Sequence, residues 1–144
     1  MSDDTVVIDS SAFVAIFKGE PGSIHLAERI TSYERRVMSA ATWLESAMVC
    51  ESASRRAGGE DFAEIVRELK VEIIPFTAEQ ALIAFQAFQR FGKGRGGKAS
   101  LNYGDCFTYA LAKQIDAPLI FTGGDFSQTD IELARYTSSE DHSS

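Results

Sequence analysis

Val6-Val7-Ile8-Asp9-Ser10-Ser11 is the stretch from which the fold can be read. Three consecutive β-branched apolar residues describe a strand buried on both faces, as in a parallel sheet. Asp9 ends the run, and the two serines suit the start of a helix. Open parallel sheets collect ligands beyond the carboxyl ends of their strands. Asp9 is therefore a charge placed where such folds do chemistry. Taken alone, the plainer role of strand terminator and helix cap is the better one for it. Three further acids downstream change that balance.

Working outward, strands and helices alternate. After Asp9, Ala12, Phe13, Ala15, Ile16 and Phe17 suggest a short helix, broken at Lys18-Gly19-Glu20-Pro21-Gly22. A second helix is predicted over 23–32, with Ile24, Leu26, Ala27 and Ile30 available to the core. Residues 36–39 read as a strand and 40–57 as a long helix ended by Gly58-Gly59. A helix over 61–69 and a strand over 71–76, stopped at Pro75, come next. Thr77 then caps a helix expected to turn Ala81, Leu82, Phe85 and Phe88 inward. Asn102 opens another, with Phe107, Ala110, Leu111 and Ile115 toward the core. Residues 119–122 form a second continuous apolar strand, followed by Gly123-Gly124-Asp125-Phe126, and 131–134 suggest a last edge strand. The expectation is an α/β fold, a three-layer α/β/α arrangement around a mainly parallel central sheet.

At 144 residues the chain fits one domain, expected over 1–136, with a polar, disordered tail over 137–144. A hydrophobic content of 44% excludes intrinsic disorder for the whole. No apolar run approaches the ~20 residues of a bilayer span, so no membrane association is expected. The acidic start, Met1-Ser2-Asp3-Asp4, resembles neither a signal nor a transit peptide. Cys50 and Cys106 lie far apart within helical patterns, which suits reduced thiols in a cytoplasmic protein. The net charge of −7 argues against a nucleic-acid partner, unless clustered carboxylates hold cations that reverse the local sign.

Three acids beyond Asp9 stand out. Glu45 has Ala41, Met48 and Val49 as its helical neighbours, so a carboxylate lies on an apolar stripe. That is costly unless a cation or hydrogen-bond donors meet it. Glu51, by contrast, has Arg55 four residues on and reads as an ordinary surface pair. Asp105 falls three residues after the Asn102 cap, where completing a capping box explains it as well as a functional role does. Asp125 repeats the device of Asp9, a carboxylate just past a buried strand. Asp130 follows closely, either as a helper to the acids or as a turn residue. His25 and His142 have no sequence partners and supply neither an acid–base pair nor a zinc site.

Asp9, Glu45, Asp105 and Asp125 can all reach one edge of a parallel sheet. Several carboxylates do not stay ionised at a few ångströms' separation. Either some are protonated or a hard cation holds them, and oxygen ligands without His or Cys point to Mg²⁺ or Mn²⁺. Such a centre suits metal-assisted hydrolysis of a phosphodiester. The one basic stretch, Arg90-Phe91-Gly92-Lys93-Gly94-Arg95-Gly96-Gly97-Lys98, has no acid between Glu79 and Asp105. Lys93, Arg95 and Lys98 either track a phosphate backbone or form a solvated loop beside a helix C-terminus.

The residues also carry a resemblance. The chain, from Val6 to about Leu133, resembles PIN-domain ribonucleases of the VapC toxin type, from type II toxin–antitoxin pairs. The resemblance rests on Val7-Ile8-Asp9-Ser10-Ser11-Ala12, Met38-Ser39-Ala40-Ala41-Thr42 leading to Glu45, and Phe91-Gly92-Lys93-Gly94. Leu101-Asn102-Tyr103-Gly104-Asp105-Cys106-Phe107 and Gly124-Asp125-Phe126-Ser127-Gln128-Thr129-Asp130 complete it. It implies a PIN-like fold and an endoribonuclease whose Asp9, Glu45, Asp105 and Asp125 bind Mg²⁺ and act on structured RNA. It further implies a small antitoxin that blocks the site, often with an Arg among the acids, and a homodimer. Two departures are visible: Gly124 stands where relatives often carry Asp or Asn, and Gly96-Gly97-Lys98 replaces a loop often stiffened by His-Pro.

Three other readings compete. A receiver-type phosphate-handling domain needs paired acids after its first strand and a late Lys, whereas Ser10-Ser11 follows Asp9 and Phe126 follows Asp125. An Asp-x-Asp phosphatase fails at Ser11. A catalytically inactive PIN-fold binding module remains, against which stands the presence of all four acids.

Overall fold

In a computed structural model of the chain, residues 4–54 and 57–134 are described. Four parallel strands form one sheet in the order β3-β2-β1-β4, with β1 Thr5–Ile8, β2 Arg35–Ser39, β3 Val71–Ile74 and β4 Leu119–Ile120. The crossovers are helical: α1 Ser10–Lys18 and α2 Ser23–Thr31, then α3 Ala40–Ala53 and α4 Gly58–Glu68, then α5 Ala78–Phe91 and α6 Tyr103–Ile115.

The apolar run in β1 is buried because successive residues serve opposite layers. Val6 and Ile8 join Met38, Val71 and Ile120 beneath Phe13, Ile30 and Phe62 of the first helices. Val7 joins Val37 and Leu119 against Ala84, Ala87, Ala110 and Leu111 of α5 and α6. Alternation of side chains along a strand produces these two cores, one on each face. The expected three-layer α/β/α architecture is what the chain forms. Gly19, at φ 64°, closes α1 in the left-handed conformation and donates to the carbonyls of Ala15 and Ile16. Among the described residues no helix is long and apolar enough to cross a membrane.

Several local expectations are corrected. The α3 helix ends at Ala53, and Gly58-Gly59 begin α4 instead of ending α3. Arg55, the expected partner of Glu51, lies outside the described residues, and Glu51 accepts from the Gly59 N–H at 2.9 Å. The strand expected over 119–122 stops at Ile120, because the Thr122 N–H leaves the ladder for Ser11 Oγ at 2.9 Å. Residues 131–134 make only an isolated bridge, Leu119 with Leu133. Ile24 is exposed while Leu26 and Ile30 are buried.

The largest correction concerns α5. Its buried stripe is Gln80, Ala84 and Ala87, and Leu82, Phe85 and Phe88 face outward. Small side chains at that spacing let α5 approach α6 closely, which excludes the larger ones from the interface. Chain termini and the tail expected over 137–144 lie outside the described residues, as does His142.

Candidate active site

Asp9 ends β1 and caps α1, as its place after a buried strand suggests. One carboxylate oxygen accepts from the Ser11 N–H at 3.0 Å and the other from Thr108 Oγ1 at 2.8 Å. It is only 2% exposed, and burial raises its pKa despite these hydrogen bonds.

Glu45 lies one turn inside α3. Burial is the main cause that raises its pKa, the nearby charge of Asp9 adds to it, and the Ser10 hydroxyl offsets part. Its Oε1 is buried and has no hydrogen-bond partner. Glu45 packs against the first turn of α6, on Gly104.

Asp105 completes the capping box expected of it. It accepts from the Asn102 N–H at 2.9 Å while its own N–H donates to Asn102 Oδ1, also at 2.9 Å. Capping does not account for the rest of its surroundings. Burial, with the charges of Asp9 and Asp125 adding to it, pushes its pKa up to about 7 against the pull of the Asn102 N–H. Asp125, in the loop after β4, lies close enough to Asp105 to raise its pKa and accepts from Ser100 Oγ at 3.4 Å.

The carboxyl ends of the strands thus bring the acids within electrostatic reach of one another in a row: Glu45 with Asp9, Asp9 with Asp105, Asp105 with Asp125. Among the described residues, no three His, Cys, Asp or Glu side chains are grouped closely enough to hold a metal ion as they stand. The chemistry of the row's groups is nonetheless of the kind a hard divalent cation takes. All its side-chain polar atoms are carboxylate oxygens, neighbouring like charges oppose one another, and Glu45 Oε1 is a buried acceptor with no donor.

Asp130 does not join the row. Its carboxylate accepts from Tyr109 Oη, from Lys113 Nζ at 2.8 Å and from Arg90 at 3.4 Å. Lys93, Arg95 and Lys98 are exposed on a loop pinched at its neck, where Lys93 N–H donates to Leu101 O and Leu101 N–H to Phe91 O, each at 2.9 Å. Gly94 and Gly96 adopt positive φ there, and the Arg95 guanidinium lies over the Phe88 ring, 5.7 Å from its centre. The outgoing limb runs directly into Ser100 and Asn102, which touch Asp125 and Asp105.

Sequence reading missed four contributors: Thr42, Thr108, Ser100 and Gly104. Two carried a signal, since Thr42 lies three residues before Glu45 and Thr108 three after Asp105, each on its acid's helix face. Gly104 in the first turn of a helix was a further sign of close approach. Beside Glu45 opens a groove of about 540 Å³, otherwise apolar, bordered by Leu44, Met48, Phe76, Tyr103 and Phe107.

A family model described as PIN domain matches residues 6–132. A ribonuclease VapC of Mycolicibacterium smegmatis is 43% identical over 126 residues, covering 88% of this chain and 97% of the relative. Among solved structures, VapC20 of Mycobacterium tuberculosis, described as a sarcin–ricin loop cleaving toxin, matches with a TM-score of 0.72 at 15% identity. That match covers 88% of this chain and 95% of the other. A chain of a toxin–antitoxin complex from Klebsiella pneumoniae matches with a TM-score of 0.65 at 16% identity, over 87% and 92% respectively. The chain belongs to the PIN domain family, and within it to the VapC group. That membership sets the receiver-type alternative aside.

Proposed function

We propose that this chain is a Mg²⁺- or Mn²⁺-dependent endoribonuclease, the toxin of a toxin–antitoxin pair acting in the cytoplasm. The observation that carries the reading is the row Glu45–Asp9–Asp105–Asp125. It gathers carboxylates from positions 9 to 125 at one sheet edge, three of them with pKa values raised. Groups that oppose one another's ionisation and leave a buried oxygen unpaired are arranged for a ligand that is absent from the chain itself. The curated relative's name, a ribonuclease, points to RNA as the substrate.

Asp9, Glu45, Asp105 and Asp125 would hold the cation. When bound, it would lower the pKa of a water and offset charge on the phosphodiester and its leaving oxygen. The protein's own work is positional. Ser11 N–H and Thr108 fix Asp9, the Asn102 cap fixes Asp105, and Ser100 orients Asp125. Lys93 and Lys98 supply positive charge for the RNA backbone at a loop whose foot lies against the acids.

The reading includes two protein partners, an antitoxin and a second copy of this chain. The groove beside Glu45 offers apolar walls and a single carboxylate, which suits an antitoxin segment with apolar side chains and one Arg. The exposed Leu82, Phe85 and Phe88 of α5 form a face of the kind a second copy would cover.

The test is cleavage of structured RNA by purified protein. Cleavage with Mg²⁺ or Mn²⁺ that stops with EDTA and in Asp9→Asn, with the circular dichroism spectrum unchanged, is expected. Cleavage persisting in EDTA, or at the wild-type rate in Asp9→Asn, overturns the reading. Binding of RNA with no cleavage under any divalent cation would favour the inactive binding module.

A further inference from the structure

We propose that two buried hydroxyls beneath the acids, Thr42 and Thr108, are positioning residues that set the spacing of the cation-holding carboxylates. The proposal rests on the reading of the row as a divalent-cation centre. Thr108 Oγ1 lies 2.8 Å from Asp9 Oδ1, and Thr42 Oγ1 lies 3.2 Å from Thr108 Oγ1. Both threonines are essentially inaccessible to solvent, at 0% and 1% exposure.

The direction of this chain follows from the chemistry of its members. An ionised carboxylate only accepts, and a hydroxyl has a single proton. Thr108 therefore donates to Asp9, and Thr42 must donate to Thr108. Neither hydroxyl can turn away without leaving a buried polar atom unpaired. The Ser11 N–H holds the second Asp9 oxygen at 3.0 Å, so rotation of that carboxylate breaks two hydrogen bonds at once.

The same chain reaches the other acids through their helices. Thr108 lies one turn after Asp105 on α6, and Thr42 one turn before Glu45 on α3. One hydrogen-bonded line thus ties together the end of β1, α3 and α6, the three elements that carry Asp9, Glu45 and Asp105. A packing role alone would be met by valine, which has nearly the volume of threonine. What valine lacks is the proton that reaches Asp9.

The experiment measures Mn²⁺ binding by electron paramagnetic resonance or calorimetry, with the metal alone as probe. The proteins are the wild type, Thr108→Val, Thr108→Ser and Thr42→Val, each checked for folding by circular dichroism. Thr108→Val is expected to weaken Mn²⁺ binding by about 10-fold or more, as the loss of outer-shell hydrogen bonds to metal ligands commonly does. Thr108→Ser, which keeps the hydroxyl, should restore most of the affinity. Thr42→Val, which spares the bond to Asp9, should fall between. Unchanged affinity in folded Thr108→Val, or a serine variant no better than valine, overturns the proposal. Should Thr108→Val fail to fold, Thr42→Val decides: weakened binding supports the proposal and wild-type binding overturns it. A wild type that binds no Mn²⁺ would remove the cation reading itself, a result separate from any difference among the variants.

Discussion

The Glu45 carboxylate occupies the space that a side chain at position 104 would fill. A Cβ on Gly104 would stand 2.6 Å from Glu45 Cδ, well inside contact distance. Helix α6 accepts glycine in its first turn, although glycine is a poor helix residue. Gly104→Ala should therefore keep or raise the melting temperature while displacing Glu45. The expected outcome is loss of divalent-dependent RNA cleavage together with weaker Mn²⁺ binding, checked against a thermal melt of the same sample.

Asp105 predicts how the metal-free protein responds to pH. Its pKa is raised from an ordinary 3.8 to about 7, so the folded state binds its proton more tightly than the unfolded state does. The folded state is then favoured at low pH, and this contribution is lost as pH rises from about 4 through about 7. Asp105→Asn keeps an acceptor for the Asn102 N–H and removes the charge. In EDTA at pH 8 it should melt several degrees above the wild type, roughly 5 °C, with the difference vanishing near pH 4. Melting temperatures across that range check the sign.

Asp130 should behave in the opposite sense. Burial would raise its pKa, but Lys113 and Tyr109 outweigh burial and, with Arg90, lower it. Stability from such a group is present above the unfolded pKa and lost as pH falls through the folded one. Asp130→Asn should cost about 0.5–1 kcal/mol at pH 7, a modest figure because the pair is partly solvated. The loss should disappear in acid. Mn²⁺ affinity should stay unchanged, since Asp130 stands apart from the row, and titration with the metal checks this.

The glycine-rich loop gives a prediction about substrate. Lys93 and Lys98 are exposed, whereas Arg95 leans on Phe88. Replacing both lysines with glutamine should weaken RNA binding and lower the slope of log affinity against log salt by about 0.7 for each lysine that neutralises a phosphate. The cleavage rate at saturating RNA should change little. Anisotropy titrations at several KCl concentrations separate the two effects.

Much of this architecture was legible in the sequence because β1 and the helix starts are local signals. An unbroken Val-Val-Ile run needs burial on both faces, and Asp9, Thr77 and Asn102 cap the helices they precede. Glu45 was legible through conflict, a charge on an apolar stripe. The outward turn of Phe85 and Phe88 was not, because apolar residues at helical spacing show that a stripe exists, not which of two stripes wins. Ala84 and Ala87 prevailed through the close approach of α6, which is a property of tertiary packing. Thr108 escaped for a similar reason: its partner, Asp9, is 99 residues away.

The order of strands has a consequence for synthesis. β1, which precedes β2 and β4 in the chain, lies between them, and its pairing with β4 waits for Leu119 and Ile120. Asp125 follows later still. A nascent polypeptide therefore carries an incomplete row of acids until the residues after β4 have left the ribosome, and a product released before position 125 lacks that carboxylate altogether. Assembly of the four acids is thus the last event in the building of the sheet, because it waits on the strand that pairs last.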